Sequence, residues 1–336
     1  MKRVLLTGGA GSIGIHVIAH IMHNTDWEIV CLDSFHHKGY RDRLELTFNA
    51  HPDWRNRITV IQHDLVCPIS RVLRKEIGQV NYILHLAALS DVFFSVENPA
   101  YVIKNNIDST VTMLEYAKDT IHEAFIYFST DEVYGPVRKG EAHKEWSPHR
   151  GSNAYAASKA ASEDICYPYW RSGEVNLVIT NTMNNYGEMQ SASKFPVIIQ
   201  KALQNGEEVI IHGSKEEIGT RYYIHSRNAA DALLYILQNL PAHKHQVGEL
   251  DDPDKYHIVG EVCLSNLQLA EKIADLMGKK LDYRLVDFHH SNPAHDIHYG
   301  LEDNKLRPSG WKQPQSFKES MKSTIEWQQE HPEWLK

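Results

Sequence analysis

Lys2-Arg3-Val4-Leu5-Leu6-Thr7-Gly8-Gly9-Ala10-Gly11-Ser12-Ile13-Gly14 follows the first methionine and decides the reading of the whole chain. The stretch from Lys2 to Thr7 reads as a short buried strand. Residues from about Ser12 to His23 read as a helix. Between them, Gly8, Gly11 and Gly14 follow a GxxGxxG spacing. Glycine permits a tight turn and a close approach of bare backbone to a ligand. The helix then points its free N–H groups and the positive end of its dipole back at the turn, which suits a pyrophosphate.

The next apolar segment, Trp27 to Leu32, reads as a second strand ending at Asp33. Asp33 lies 33 − 14 = 19 residues past the last glycine, the offset of an acid that holds an adenosine ribose. A carboxylate there accepts hydrogen bonds from both ribose hydroxyls and repels a 2′-phosphate, so the expected cofactor is NAD rather than NADP. Further strands are expected at Arg57 to His63, Asn81 to Ala87, Ala124 to Ser129 and Asn176 to Thr182. Long helices are expected at about Asn98 to Lys118 and Ala154 to Arg171. This alternation predicts an α/β fold: a Rossmann-type, doubly wound parallel sheet covered on both faces.

After about residue 185 the rhythm weakens. Lys215 to Thr220 and Pro241 to Asp254 read as loops, Leu264 to Met277 and Ser316 to Gln329 as helices. The expected division is an NAD-binding part over 1–183, with returns near 222–240 and 255–263, and a smaller mixed α/β part over 184–336 that mainly binds substrate.

With 336 residues, 42% of them apolar and 23% charged, the chain can bury a core without disulfides or metals. A net charge of −8 gives no sign of a nucleic-acid partner. Cys31, Cys67, Cys166 and Cys263 are widely spaced and form no CxxC, which predicts a reducing, cytoplasmic setting. The apolar run at the start is too short for a signal peptide. No stretch approaches a membrane span, so no membrane partner is expected. The 21 histidines form no HExxH or other ligand pattern, so no metal is expected.

Tyr155 and Lys159 form a YxxxK on the helix after the fifth strand. Four residues apart, they share one helix face. A nearby ammonium would favour the phenolate and lower the tyrosine pKa, making it a competent base for a sugar hydroxyl.

Phe128-Ser129-Thr130-Asp131-Glu132-Val133-Tyr134-Gly135 resembles the signature of the nucleotide-sugar 4,6-dehydratases, extended short-chain dehydrogenase/reductases of the epimerase/dehydratase group. The dTDP-glucose type is the nearest. The resemblance covers most of the chain. His85-Leu86-Ala87-Ala88 and Asn106-Ile107-Asp108-Ser109-Thr110 are similar to the segments beside the cofactor. Asn184-Asn185-Tyr186-Gly187, with Gln190, Lys194 and Pro196, resembles the substrate stretch. Arg221-Tyr222-Tyr223-Ile224-His225 and His295-Asp296, followed by Tyr299, resemble the diphosphate-binding and late motifs, and Gly310-Trp311 matches the GW near the C-terminus.

The resemblance implies catalysis by Thr130, Asp131, Glu132, Tyr155 and Lys159. It implies NAD binding by Gly8, Gly11, Ser12, Ile13, Gly14, Asp33, Asp64, Leu65, Ala87, Ala88 and Asn106, together with Tyr155 and Lys159. Ser90, Asn185, Lys194, Arg221 and His295 would hold a nucleotide-diphosphate hexose. The implied reaction converts an NDP-hexose of glucose type to the NDP-4-keto-6-deoxyhexose by internal hydride transfer from carbon 4 to carbon 6. In it Tyr155 takes the carbon-4 hydroxyl proton, Thr130 hydrogen-bonds that oxygen, Glu132 removes the carbon-5 proton and Asp131 protonates the departing hydroxyl. A homodimer formed through the two long helices is also implied.

Where the family reads A-A-E-S-H-V-D-R-S, this chain has Ala87-Ala88-Leu89-Ser90-Asp91-Val92-Phe93-Phe94-Ser95, which implies a drier pocket near the nicotinamide and sugar. Ile297 replaces an arginine. Two other readings share the fold: an NDP-sugar 4-epimerase, which has no need of the Asp131–Glu132 pair, and a catalytically silent NAD-binding regulatory protein, against which the intact Thr130, Tyr155 and Lys159 argue.

Overall fold

The computed structural model describes residues 1–37, 39–242, 251–287 and 296–335. Along the first half run β1 (Arg3–Thr7), α1 (Gly14–Asn24), β2 (Glu28–Asp33), α2 (Tyr40–Ala50), β3 (Ile58–Gln62), α3 (Arg71–Ile77) and β4 (Tyr82–His85). They are followed by α4 (Val92–Glu97), α5 (Pro99–Lys118), β5 (Ala124–Thr130), α6 (Ala154–Arg171) and β6 (Leu177–Thr182). The second half adds β7 (Asn184–Tyr186), α7 (Phe195–Asn205), β8 (Val209–His212), β9 (Thr220–His225) and α8 (Ser226–Asn239). It ends with β10 (Asp254–Ile258), β11 (Val262–Ser265), α9 (Asn266–Met277), β12 (Tyr283–Val286) and α10 (Phe317–Glu330).

Seven strands form one parallel sheet in the order β10-β6-β5-β4-β1-β2-β3. Alternate residues of each strand face opposite sides. Val4, Leu6, Ile29, Cys31 and Ile126 pack with α1 and α8 on one face. Leu5, Val30, Leu32, Phe125 and Tyr127 pack with residues of α3, α5 and α6 on the other. Both faces are buried, as the continuous apolar strands require. The strand order reverses between β1 and β4, and a crevice opens at the carboxyl ends of strands around that point.

Two small sheets, β11-β9-β7 and β12-β8, follow residue 183. They share a core of Tyr186, Ile199, Ile211, Leu269, Ile273 and Met321 with α7, α9 and α10. The helix expected from Leu264 starts instead at Asn266, because Leu264 and Ser265 belong to β11 and Ser265 caps α9 in a capping box with Gln268. The loop expected up to Asp254 ends there in β10, the seventh strand of the large sheet; residues 243–250 of that stretch lie outside the described residues.

Candidate active site

The glycine turn is built as its spacing requires. Gly8 has φ +70°, and a Cβ there would lie 2.9 Å from the Ala87 backbone. A Cβ on Gly14 would lie 2.2 Å from the Gly8 carbonyl oxygen. Substituted side chains would therefore close the passage between the turn and the loop after β4, and the start of α1 stays free of side-chain caps.

Gly8, Gly11, Ser12, Ile13 and Gly14 line one wall of the crevice. Asp33, Asp64 and Leu65 line it at the ends of β2 and β3, and Ala87, Ala88 and Ser90 from the loop after β4. Asp33 accepts N–H bonds from Ala10 (3.0 Å) and Phe35 (2.9 Å), which aim its carboxylate at the crevice floor. Burial raises its pKa, and these two donors oppose the rise. The residues fit NAD: a turn whose three glycines leave backbone open to the crevice, and one acid at the end of β2 where a ribose would lie.

Asn106 stands apart from this wall. It is buried, accepts the Leu89 N–H (2.8 Å) and donates to the Leu89 carbonyl (3.1 Å) and to Ser158 Oγ (2.9 Å). It holds the loop from behind rather than facing the crevice, because α5 runs under that loop. His36, His37, Tyr40 and His63 also line the crevice. The histidine pair three residues past Asp33 was the signal for two of them, yet scattered histidines read more simply as surface residues.

The residues expected to be catalytic come together where β5 ends. Thr130 caps a short 3₁₀ turn over Asp131–Tyr134 and accepts the Glu132 N–H. Its hydroxyl donates to Asp131 Oδ1 at 3.0 Å. Glu132 Oε2 accepts from Asn153 Nδ2 at 3.0 Å, and Asn153 is also the cap of α6, whose Ala156 N–H it accepts. One asparagine thus fixes the acid and starts the helix that carries Tyr155 and Lys159.

Burial pushes the Asp131 carboxyl up to about 7, with the Glu132 charge adding to the shift. Burial raises Glu132 as well, opposed by Asn153, Arg221 and Lys194. Tyr155 lies within hydrogen-bonding reach of Thr130, and the pKa of its phenol is raised, first by burial and then by the Glu132 charge. The expectation that the nearby Lys159 ammonium lowers this phenol is corrected: burial and the Glu132 charge outweigh it. Lys159 Nζ donates to the Phe128 carbonyl (2.8 Å) and lies over the Tyr127 ring (4.1 Å), and burial pushes it down to about 7.

Among the residues expected to hold substrate, Lys194 stands just before α7, makes no cap bond with its side chain, and acts on Glu132 through its charge. Arg221 Nη2 donates to the Asp296 carbonyl and Nη1 to the Ile297 and Thr220 carbonyls, and its guanidinium covers the Tyr299 ring at 4.5 Å. Asn185 donates to Thr182 Oγ1 and the Met183 carbonyl. His295 lies outside the described residues. Asp91, expected near the nicotinamide, is the cap of α4 and accepts the Phe94 N–H at 2.9 Å. Phe94 and Tyr101 line the crevice mouth, ring centroids 6.1 Å apart.

Sheet order, glycine cradle and Tyr–Lys helix together define a nucleotide-binding α/β enzyme. The chain belongs to the NAD dependent epimerase/dehydratase family, which it matches over residues 4–248. It is 30% identical to the dTDP-D-glucose 4,6-dehydratase of Homo sapiens, over 98% of this chain and 91% of that one. The dTDP-glucose 4,6-dehydratase of Streptomyces venezuelae, solved with NAD bound, superposes with a TM-score of 0.84 at 28% identity, covering 99% of this chain and 98% of that one. The UDP-glucose 4-epimerase of Thermus thermophilus superposes with a TM-score of 0.82 at 24% identity, covering 97% and 98%.

Proposed function

We propose that this chain is an NAD-dependent nucleotide-sugar 4,6-dehydratase acting on an NDP-hexose of glucose type. The observation that carries the reading is the pair of adjacent carboxyls, the buried Asp131 and the half-buried Glu132, beside Thr130 and Tyr155. Bound NAD supplies the oxidation at carbon 4 and the matching reduction at carbon 6.

The chain's own residues supply proton handling and placement. Tyr155 receives the carbon-4 hydroxyl proton as the phenolate, which must form against the burial that raises its pKa, and Thr130 steadies that oxygen. Lys159 lends positive charge to the same corner. Once carbon 4 is a ketone, the carbon-5 proton is acidic enough for a carboxylate. Burial raises the Glu132 carboxyl, which makes it a stronger base, while Asn153, Arg221 and Lys194 favour its charged form; as the carboxylate it takes that proton. Asp131, with a pKa of about 7, still carries a proton near neutrality and delivers it to the departing carbon-6 hydroxyl. Asp33 and the glycine cradle hold the cofactor, and the small sheets after residue 183 hold the nucleotide-sugar. The reading includes a homodimer through α5 and α6, the commonest oligomer symmetry. It also includes a cytoplasmic setting, in keeping with four free cysteines.

The test is incubation with a panel of nucleotide hexoses in deuterated water, read by mass spectrometry and proton NMR. Loss of water with deuterium at carbon 5 is expected. An isomer of unchanged mass without deuterium at carbon 5 would mean a 4-epimerase. Retained NAD with no sugar turnover would favour the silent binding protein.

A further inference from the structure

Tyr155, Lys159 and Glu163 are spaced four apart on α6 and share one face. The proposed chemistry uses the first two and leaves the third without a task. Glu163 is nonetheless buried and fully engaged. Its Oε1 accepts from Asn181 Nδ2 at 2.7 Å, and the same amide donates to the Thr130 carbonyl at 3.0 Å. Its Oε2 accepts from Lys255 Nζ at 2.6 Å and faces His149 Nε2 at 3.3 Å.

Lys255 sits on β10, entirely buried between the rings of Tyr134 and Trp146. Tyr134 belongs to the same turn as Asp131 and Glu132, and its hydroxyl lies 2.9 Å from His257 Nε2 on β10. A network therefore joins the last strand of the sheet to the catalytic turn through Glu163. A buried ion pair is a poor source of net stability, so packing alone does not account for it.

Resting on the dehydratase reading, we propose that Glu163 is a positioning residue of this site: it braces the Thr130 turn through Asn181 and supplies the counter-charge for Lys159. The groups facing Lys159 bear this out. His85 on β4 meets the ammonium unfavourably, Tyr127 on β5 offers only its ring, and Cys166 on α6 is a thiol. Glu163 is the carboxylate that opposes the cost of burying Lys159. Glu163 is surrounded by Lys255, His149 with its second partner Asp164, Asn181, Tyr127 and Tyr134. Burial pushes its carboxyl up, but Lys255 first and His149 next hold it at about 2, so it stays charged across the working range.

The test uses the full chain with the double substitution Glu163→Gln/Lys255→Met, which removes both charges yet keeps the packing. Lys159 is followed by NMR of lysine labelled with carbon-13 at Cε, its signal assigned by loss in Lys159→Met. That titration needs no substrate, so it stays readable even if no hexose is dehydrated and the functional reading fails. Lys159 is expected to titrate about one pH unit lower in the double variant. The alkaline limb of turnover should follow it, giving about a tenfold loss at the upper end of the profile. Glu163→Asp, which keeps the charge, should hold the wild-type limb. A double variant with unchanged Lys159 titration and pH profile would reduce the pair to a structural brace and overturn the proposal. So would a limb that moves as far in Glu163→Asp as in the neutral pair.

Discussion

Replacing Asp131 by asparagine should abolish dehydration and stabilise the protein at the same time. Burial and the neighbouring Glu132 charge lift this carboxyl from an ordinary 3.8 to about 7, a rise of about three units. In the folded state the proton stays on; in the unfolded chain it leaves above 3.8. The stability contributed by the neutral acid is therefore fully present below 3.8 and is lost as pH rises through 7. At 1.36 kcal/mol per unit, the wild-type carboxyl costs at most about 4 kcal/mol above pH 7. Asparagine stays neutral and escapes that cost. Against it stands the new amide: Asp131 Oδ2 is buried without a hydrogen-bond partner among the described residues, and an amide nitrogen left unpaired there costs about 1–3 kcal/mol. The net gain is about 1–3 kcal/mol at pH 8, a melting rise of roughly 1–4 °C for a chain of 336 residues. It should shrink by about 2–3 kcal/mol between pH 8 and pH 5. Denaturant melts across that range check the sign. Single-turnover mixing should show carbon-4 oxidation surviving, while water loss slows by about 10²–10⁴. A variant equally destabilised at both pH values, or one that still dehydrates, would refute this account of Asp131.

Three further outcomes follow from the cofactor side. Gly14→Ala drives a Cβ to 2.2 Å from the Gly8 carbonyl oxygen; the overpacking should cost about 1–3 kcal/mol in a melt and remove measurable NAD binding by calorimetry. Asp33→Ala deletes the acceptor of the Ala10 and Phe35 N–H groups; NAD should bind about tenfold or more weakly, and the preference over NADP should narrow in a side-by-side titration. Asn106→Ala frees both backbone groups of Leu89; stability should fall by about 2–3 kcal/mol, and NAD affinity should drop although no direct contact is lost.

The large sheet was readable because its strands are buried on both faces and run continuously apolar, as in Val4-Leu5-Leu6. The glycine turn was readable because Gly8 and Gly14 answer to sterics that only glycine meets. The small sheets were not. Asn184-Asn185-Tyr186 and Thr220 to His225 are short, polar strands whose pairing partners lie far along the chain, so no local periodicity marks them. Side-chain direction was equally hidden. Asn106 sits in a cofactor-like motif yet faces the back of the loop, and Asp91 caps a helix. The four-residue spacing of Tyr155 and Lys159 correctly put them on one face. It could not show that burial and Glu132 would raise the phenol while the ammonium turned to the Phe128 carbonyl.

Backbone likeness does not choose between the two chemistries of this family. A dehydratase and an epimerase superpose on the chain with TM-scores of 0.84 and 0.82, and fold alone does not imply function. The choice rests on energetics at the end of β5. Exchange of configuration at carbon 4 moves one hydroxyl proton and one hydride, work that Tyr155, Thr130 and the cofactor cover. It leaves nothing for two adjacent carboxyls, the buried one of which carries a penalty of up to about 4 kcal/mol at neutral pH. Removal of water from carbons 5 and 6 demands both a base and an acid within reach of one sugar. Burial raises both carboxyls, but Asn153, Arg221 and Lys194 oppose the rise at Glu132, whereas at Asp131 the Glu132 charge adds to burial and pushes the group up to about 7. The split between the two is the division of labour that dehydration requires.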